Sequence, residues 1–160
     1  MDEASCRARD LIEAAYHMTL ATADATGKPW SSPVFFAYDE DFNLYWVSSA
    51  DTIHSANIRI RPQVAITILG QPPDYVNNGV YFDAVAMELD NVADVIRAIQ
   101  IRRKRPEEER FMIKSPSDVL GRAVWRMYKA VPVTIYTDKE ETVEGQCITT
   151  RVKVSLLRMV

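Results

Sequence analysis

A chain of 160 residues, 48% hydrophobic and 26% charged, has the totals of an ordinary globular domain, and residues 1–160 are read as one domain. A net charge of −3 argues against a general nucleic-acid binder. No apolar run reaches the length of a membrane span, and the charged start MDEASCRARD lacks the apolar core of a signal peptide, so the expected place is the cytoplasm, with no membrane contact.

Taken in order, Ala4–Tyr16 predicts an amphipathic helix and Met18–Ala23 a short strand. Asp24–Lys28 is a turn in which Gly27 supplies the permissive backbone. Trp30–Tyr38 predicts a second strand, at an edge or bulged at Pro33 because proline cannot donate to a ladder. Asp39–Asp41 turns the chain into a third strand, Asn43–Val47. A hydroxyl-rich turn follows, then a helix over Ile53–Arg61 that ends at Pro62. Gln63–Leu69 is a strand, Gly70–Gly79 a loop and Val80–Leu89 a longer strand. Val92–Arg103 carries Val92, Val95, Ile96 and Ile99 at helical spacing. Its RRKR end meets PEEER, and opposite charge blocks side by side read as a solvated surface. Ser115–Asp118 signals a short helical turn, Ala123–Tyr136 a strand broken at Pro132, Asp138–Gly145 a charged turn, and Gln146 to about Leu157 the last strand. Six or seven mostly antiparallel strands with flanking helices are buried most economically by a small closed or partly closed barrel.

The chemistry on offer is modest. No GxSxG, HExxH or phosphate-loop motif is present. Cys6 and Cys147 form no CxxC pair, and His17 and His54 stand outside any metal-ligand spacing. The notable stretch is Asn43–Leu69, where strand, polar turn and helix start succeed one another. Ser48, Ser49, Thr52 and Ser55 supply hydroxyls, and the unpaired N–H groups of a helix start carry the positive end of its dipole. That combination reads as a phosphate seat, although many such junctions carry Ser and Thr only as caps. His54 has two readings as well: an exposed helix histidine, or a cation over a phosphate. Trp30, Trp46 and Trp125 are candidate core anchors. Trp30 and Trp46 also stand on neighbouring strands, where a flat ring lying across both would touch them.

The segments MTLATADATGKPWSSPVFFAYDED, FNLYWVSSADTIHSANIRIRPQVAITI and GVYFDAVAMELDN, about Met18 to Asn91, resemble the pyridoxamine 5′-phosphate oxidase-like superfamily of FMN-binding split barrels. The HSANI…RP run after Ser-Ser is the most specific piece, with His54 where many relatives have Lys. The resemblance implies a six-stranded antiparallel split β-barrel and a homodimer with FMN at the interface. It implies that Ser32, Pro33 and Val34 line the flavin ring edge, followed by Trp46, Val47 and Ser48 on the third strand. It places Ser49, Thr52, His54 and Ser55 near the phosphate and leaves Trp125 as the candidate from the partner. Ser31 and Phe36 stand where the oxidase has Arg and Lys, and its C-terminal substrate motif is not visible. The resemblance therefore does not extend to making pyridoxal phosphate.

The expectation is an FMN-dependent oxidoreductase that moves electrons between a nicotinamide donor and a small-molecule acceptor. The flavin supplies the chemistry, so no side chain has to be catalytic. An F420-dependent reductase is an alternative, although its longer acidic tail asks for more cations. A non-catalytic dimer that binds flavin, haem or nothing is another. With His54 as the phosphate cation, FMN binding should weaken as pH rises.

Overall fold

The computed structural model describes residues 2–70, 78–105 and 112–156. Most of the loop expected at Gly70–Gly79, the PEEER block and the end of the last strand lie outside those residues. The element order is α1 (Glu3–Ala14), β1 (His17–Ala23), β2 (Pro29–Phe35), β3 (Ala37–Tyr38), β4 (Leu44–Ser49), α2 (Ile53–Ile60), β5 (Gln63–Leu69), β6 (Gly79–Glu88), α3 (Val92–Arg102), a 3-10 turn (Pro116–Asp118), β7 (Trp125–Val143) and β8 (Gln146–Val154). The strands form one antiparallel eight-stranded sheet in the order β2-β1-β5-β6-β7-β4-β3, with β8 paired to β7.

The count of eight, against the six of the expected barrel, has two sources. The predicted strand Trp30–Tyr38 is divided at Phe36 into β2, which pairs with β1, and β3, which pairs with β4. The alternation runs on through the division. Val34 and Phe36 are buried in the barrel core and Tyr38 packs against it, while Ala37 faces the second core. One bent stretch of chain thus serves both ends of the sheet, which closes it into a split barrel. The second source is β8, which pairs with the far part of β7 outside the ring.

Two expectations about β7 need correction. Pro132 does not break it: Asp83 pairs with Thr134 and Ala84 with Pro132, so Val133 is an extra residue in a bulge that absorbs the missing donor. The charged run after Asp138 is not a turn either. β7 continues to Val143, and the turn is Glu144–Gly145 alone, with φ of 50° and 81°. Positive φ at both central residues is the two-residue hairpin geometry whose twist matches the strands. The Pro33 expectation holds, since β2 is an edge strand.

Apolar side chains of β1, β2, β4, β5 and β6, with Ala8 and Ile12 of α1, fill the barrel. A second cluster lies outside it, where Val95, Ala98 and Ile99 of α3 cover Ala37, Tyr45 and Met127. Val92 and Ile96, on the same helical pattern, are exposed. The Asp39–Asn43 turn is tied by the Asp39 carboxylate. It accepts from Asp41 N, from Asn43 N and Nδ2, and from the Tyr45 hydroxyl at 2.8 Å. The tie holds Phe42 at φ 58° while its ring stacks on Tyr38, with centroids 5.6 Å apart.

Candidate functional site

Inward positions near one end of the barrel are polar. Thr22 on β1 and Ser48 on β4 are buried, and Ser32 on β2 is half-buried. Hydroxyls at the end of an apolar core need partners, and α2 supplies them. Asn57 Nδ2 donates to Thr22 Oγ1 at 3.0 Å. His54 places Nδ1 at 3.1 Å from Ser32 Oγ and Nε2 at 2.8 Å from Ser48 Oγ. β2 and β4 have no ladder between them, so at this level the seam of the split barrel is bridged by the imidazole. Trp30 Nε1–H donates to Ser32 Oγ at 3.0 Å. The result is a hydrogen-bonded chain Trp30–Ser32–His54–Ser48 that runs from the exposed indole to the interior.

His54 is 7% exposed, and burial holds its pKa below the ordinary histidine value. Both ring nitrogens are engaged. Burial and the engagement of both ring nitrogens favour the neutral form, which corrects the reading of it as exposed and argues against a ready cation.

The helix start is organised by its own hydroxyls. Thr52 is the N-cap, with Oγ1 accepting from Ser55 N at 3.3 Å and lying 2.7 Å from Ser55 Oγ. Ser55 Oγ donates to the Ser49 carbonyl at 2.9 Å, and Ser55 is fully buried. Ser49 Oγ accepts from Asp51 N at 3.3 Å. Thr52 and Ser55 thus spend hydroxyls on capping, while Ser49 keeps a half-exposed one. Asp51 is exposed, and Thr52 caps the helix.

The other predicted residues divide by strand alternation. Trp46 is fully buried, stacked on Tyr128 at 5.5 Å and 15°, so its indole presents no surface to a ligand. Val34 lies in the same core, and Val47 packs against the cluster under α3. Pro33 is exposed on the edge strand. Trp125 is 46% exposed and pairs with Ser49, which brings it near the turn within the same protomer. The structure thus groups Ser32, Ser48, His54 and Trp30 in one bonded chain and Ser49, Thr52 and Ser55 in another, and it directs Val34, Trp46 and Val47 into cores.

Sequence reasoning missed Arg59. From the last turn of α2 its Nη2 reaches back to the Ala50 carbonyl at 2.9 Å, which brings a cation to the polar turn. An arginine near the end of a two-turn helix behind a loop was the available signal. It also missed Asn57, whose partner lies 35 residues away. For an FMN-like group, the fit rests on the unpaired β2 edge with its half-buried Ser32 and 43%-exposed Trp30, and on the α2 start with Ser49 and Arg59. Peptide groups and hydroxyls suit a polar ring edge, and helix N–H groups with a guanidinium suit a phosphate.

Among the described residues no cluster of His, Cys, Asp or Glu has metal-binding geometry, and no helix is long and apolar enough to cross a membrane. The family model described as pyridoxamine 5′-phosphate oxidase matches residues 6–128, and the chain belongs to that family. No curated protein matches it. Among solved structures it is similar to HutZ, the haem storage protein of Vibrio cholerae, at TM-score 0.64 and 18% identity over 81% of this chain and 90% of that one. A haem binding protein from Mycobacterium smegmatis matches at TM-score 0.69 and 16% identity, over 94% of this chain and 58% of the other. An F420 reductase matches at TM-score 0.57 and 18% identity, over 80% and 94%. These likenesses establish the shared fold, within which members differ in the cofactor they take.

Proposed function

We propose that this member of the pyridoxamine 5′-phosphate oxidase family is an FMN-dependent oxidoreductase that works as a homodimer. The reading is carried by the free edge of β2, where the Pro33 carbonyl, the Ser32 hydroxyl and the exposed Trp30 indole stand together at the seam. In this reading that edge receives the ring, and the turn from Ser49 to the α2 start, with Arg59, receives the phosphate. Bound flavin would pass electrons from a nicotinamide donor to a small acceptor. The chain's own residues bind, orient and exclude water. Ser32 offers a hydrogen bond to the ring edge, and His54, through Ser32 and Ser48, keeps the two sides of the seam in register. The outer face of β5, β6 and β7, which exposes Leu69, Met87 and Val133, is the proposed interface, since exposed apolar surface marks association.

A visible absorbance spectrum of the purified protein, with and without added FMN, tests this reading directly, followed by mass analysis of any released cofactor and NAD(P)H oxidation by the loaded protein. A flavin spectrum with donor oxidation is expected. Failure to take up FMN overturns the proposal. A second reading is a dimer that holds haem or flavin without catalysis; its haem form draws on the lowered pKa of His54, because haem carries no phosphate for a cation to meet there. Haem uptake in the same titration, with no NAD(P)H oxidation, would favour it. An F420-dependent activity draws on the same groove and would appear as consumption of reduced F420.

A further inference from the structure

Besides its bond to Cβ, Ser32 Oγ has three directions to offer: two lone pairs and its own hydrogen. The Trp30 indole N–H, at 3.0 Å, fills one lone pair. His54 Nδ1, at 3.1 Å, takes a second direction. One direction remains, and the imidazole decides its character. If Nδ1 carries the ring proton, it donates into the second lone pair, and Ser32 has only its O–H to present. If Nε2 carries the proton, Ser32 must donate to Nδ1, and it presents a lone pair. Ser48, 2.8 Å from Nε2, takes the opposite role each time. A neutral ring carries one proton, so Ser32 is a donor or an acceptor toward the seam, never both. The two arrangements differ by the place of one ring proton and the rotation of two hydroxyls. Trp30 makes the choice binary, since without its N–H Ser32 would keep a free lone pair beside its hydrogen.

We propose that His54 is a positioning residue whose tautomer makes Ser32 a donor or an acceptor toward the ligand, matching the seam to a heterocycle whose edge nitrogen alternates between bare N and N–H with its redox state. The proposal rests on the flavin reading above and adds how the site holds both redox states of one ring. Ser32 presents O–H to the bare nitrogen and a lone pair to N–H, with no change in the spacing of β2 and β4.

The test compares Kd for oxidised FMN and for reduced FMN under anaerobic conditions. Ser48→Ala, a small change that leaves Nε2 without a partner, favours Nδ1–H and so holds Ser32 as a donor toward the ligand. One hydrogen bond gained or lost is worth about a tenfold change in affinity. Ser48→Ala is therefore expected to shift the ratio of the two Kd values about tenfold in favour of oxidised FMN, equivalent to about 30 mV in the two-electron potential of the bound ring. Adding Trp30→Phe should return the ratio toward wild type, because Ser32 regains a free direction. Equal weakening of both redox states in these variants, with an unchanged ratio, overturns the proposal and leaves His54 a plain clamp. In the free wild-type protein, ¹⁵N NMR of His54 should show one protonated nitrogen at pH 7, and an imidazolium there overturns it as well. A wild-type protein that takes up no FMN overturns the flavin reading and this inference together. Flavin uptake with an unmoved ratio overturns this inference alone.

Discussion

Ser32 and Ser48 stand on strands that share no ladder, yet their hydroxyls sit 3.1 and 2.8 Å from opposite nitrogens of one imidazole. The link depends on a buried, neutral ring, and from that follows a pH dependence opposite in sign to the one a phosphate-binding cation would give.

The folded pKa of His54 lies below its unfolded value, so the unfolded chain binds the proton more readily. Above about pH 6.5 the ring is neutral in both states and stability is unaffected by it. As pH falls from there toward the folded pKa, stability is lost. Urea midpoints should be flat from pH 7 to 8 and decline on acidification, with a shallower decline in His54→Asn. FMN affinity should likewise hold as pH rises through 7. A steady fall in affinity between pH 6.5 and 8 would restore the cation.

Trp46 is fully enclosed, and its Nε1–H has no hydrogen-bond partner. Trp46→Phe removes that buried donor together with part of the ring. It should cost little, within about 1.5 kcal/mol, because the lost packing is offset by removal of an unsatisfied group. Trp46→Ala should cost about 3–5 kcal/mol as a cavity opens against Tyr128. Chemical denaturation measures both. FMN affinity in Trp46→Phe should match wild type, and a large loss would return the indole to the ligand.

Asp39 ties its turn through the Asn43 backbone, the Asn43 amide and the Tyr45 hydroxyl, all buried. Asp39→Ala strands several donors at once and should cost about 2–4 kcal/mol. Asp39→Asn, which keeps one acceptor, should cost clearly less. Similar losses in the two variants would show that packing, not bonding, sets the turn.

The outer face of β5–β6–β7 leaves Val133 67% exposed near its middle, with Leu69 and Met87 exposed toward its two ends. Sedimentation at micromolar concentration should find a dimer, and Val133→Lys should shift it toward monomer. A wild-type monomer would remove the proposed interface.

Where side-chain period and punctuation agreed, the sequence was readable. Gln63–Leu69 after Pro62 is recovered to the residue, and the start of β8 at Gln146 likewise. Punctuation misled where a neighbour absorbed it. Pro132 looked like a strand break because the bulge at Val133 depends on pairing with β6. The Asp138–Gly145 charges resemble a turn because, beyond the buried Asp138, β7 and β8 run as an exposed two-stranded ribbon in which polar residues suit both faces. The capping role of Thr52 and Ser55 is legible in the Ser-rich turn, but the partners of His54 and Asn57 are not. Those partners are Ser32, 22 residues from His54, and Thr22, 35 residues from Asn57, and no local pattern encodes them.

The bend at Phe36 has a consequence for how the gene can change. Val34, Phe36 and Tyr38 keep one alternation while the chain passes from pairing with β1 to pairing with β4. A codon gained or lost at that point would leave β2 in place and turn β3 over, exchanging the side chains offered to the two cores. The Glu144–Gly145 tip lies far from either core and imposes no such parity. Length variation is thus strongly opposed at the first site and tolerated at the second.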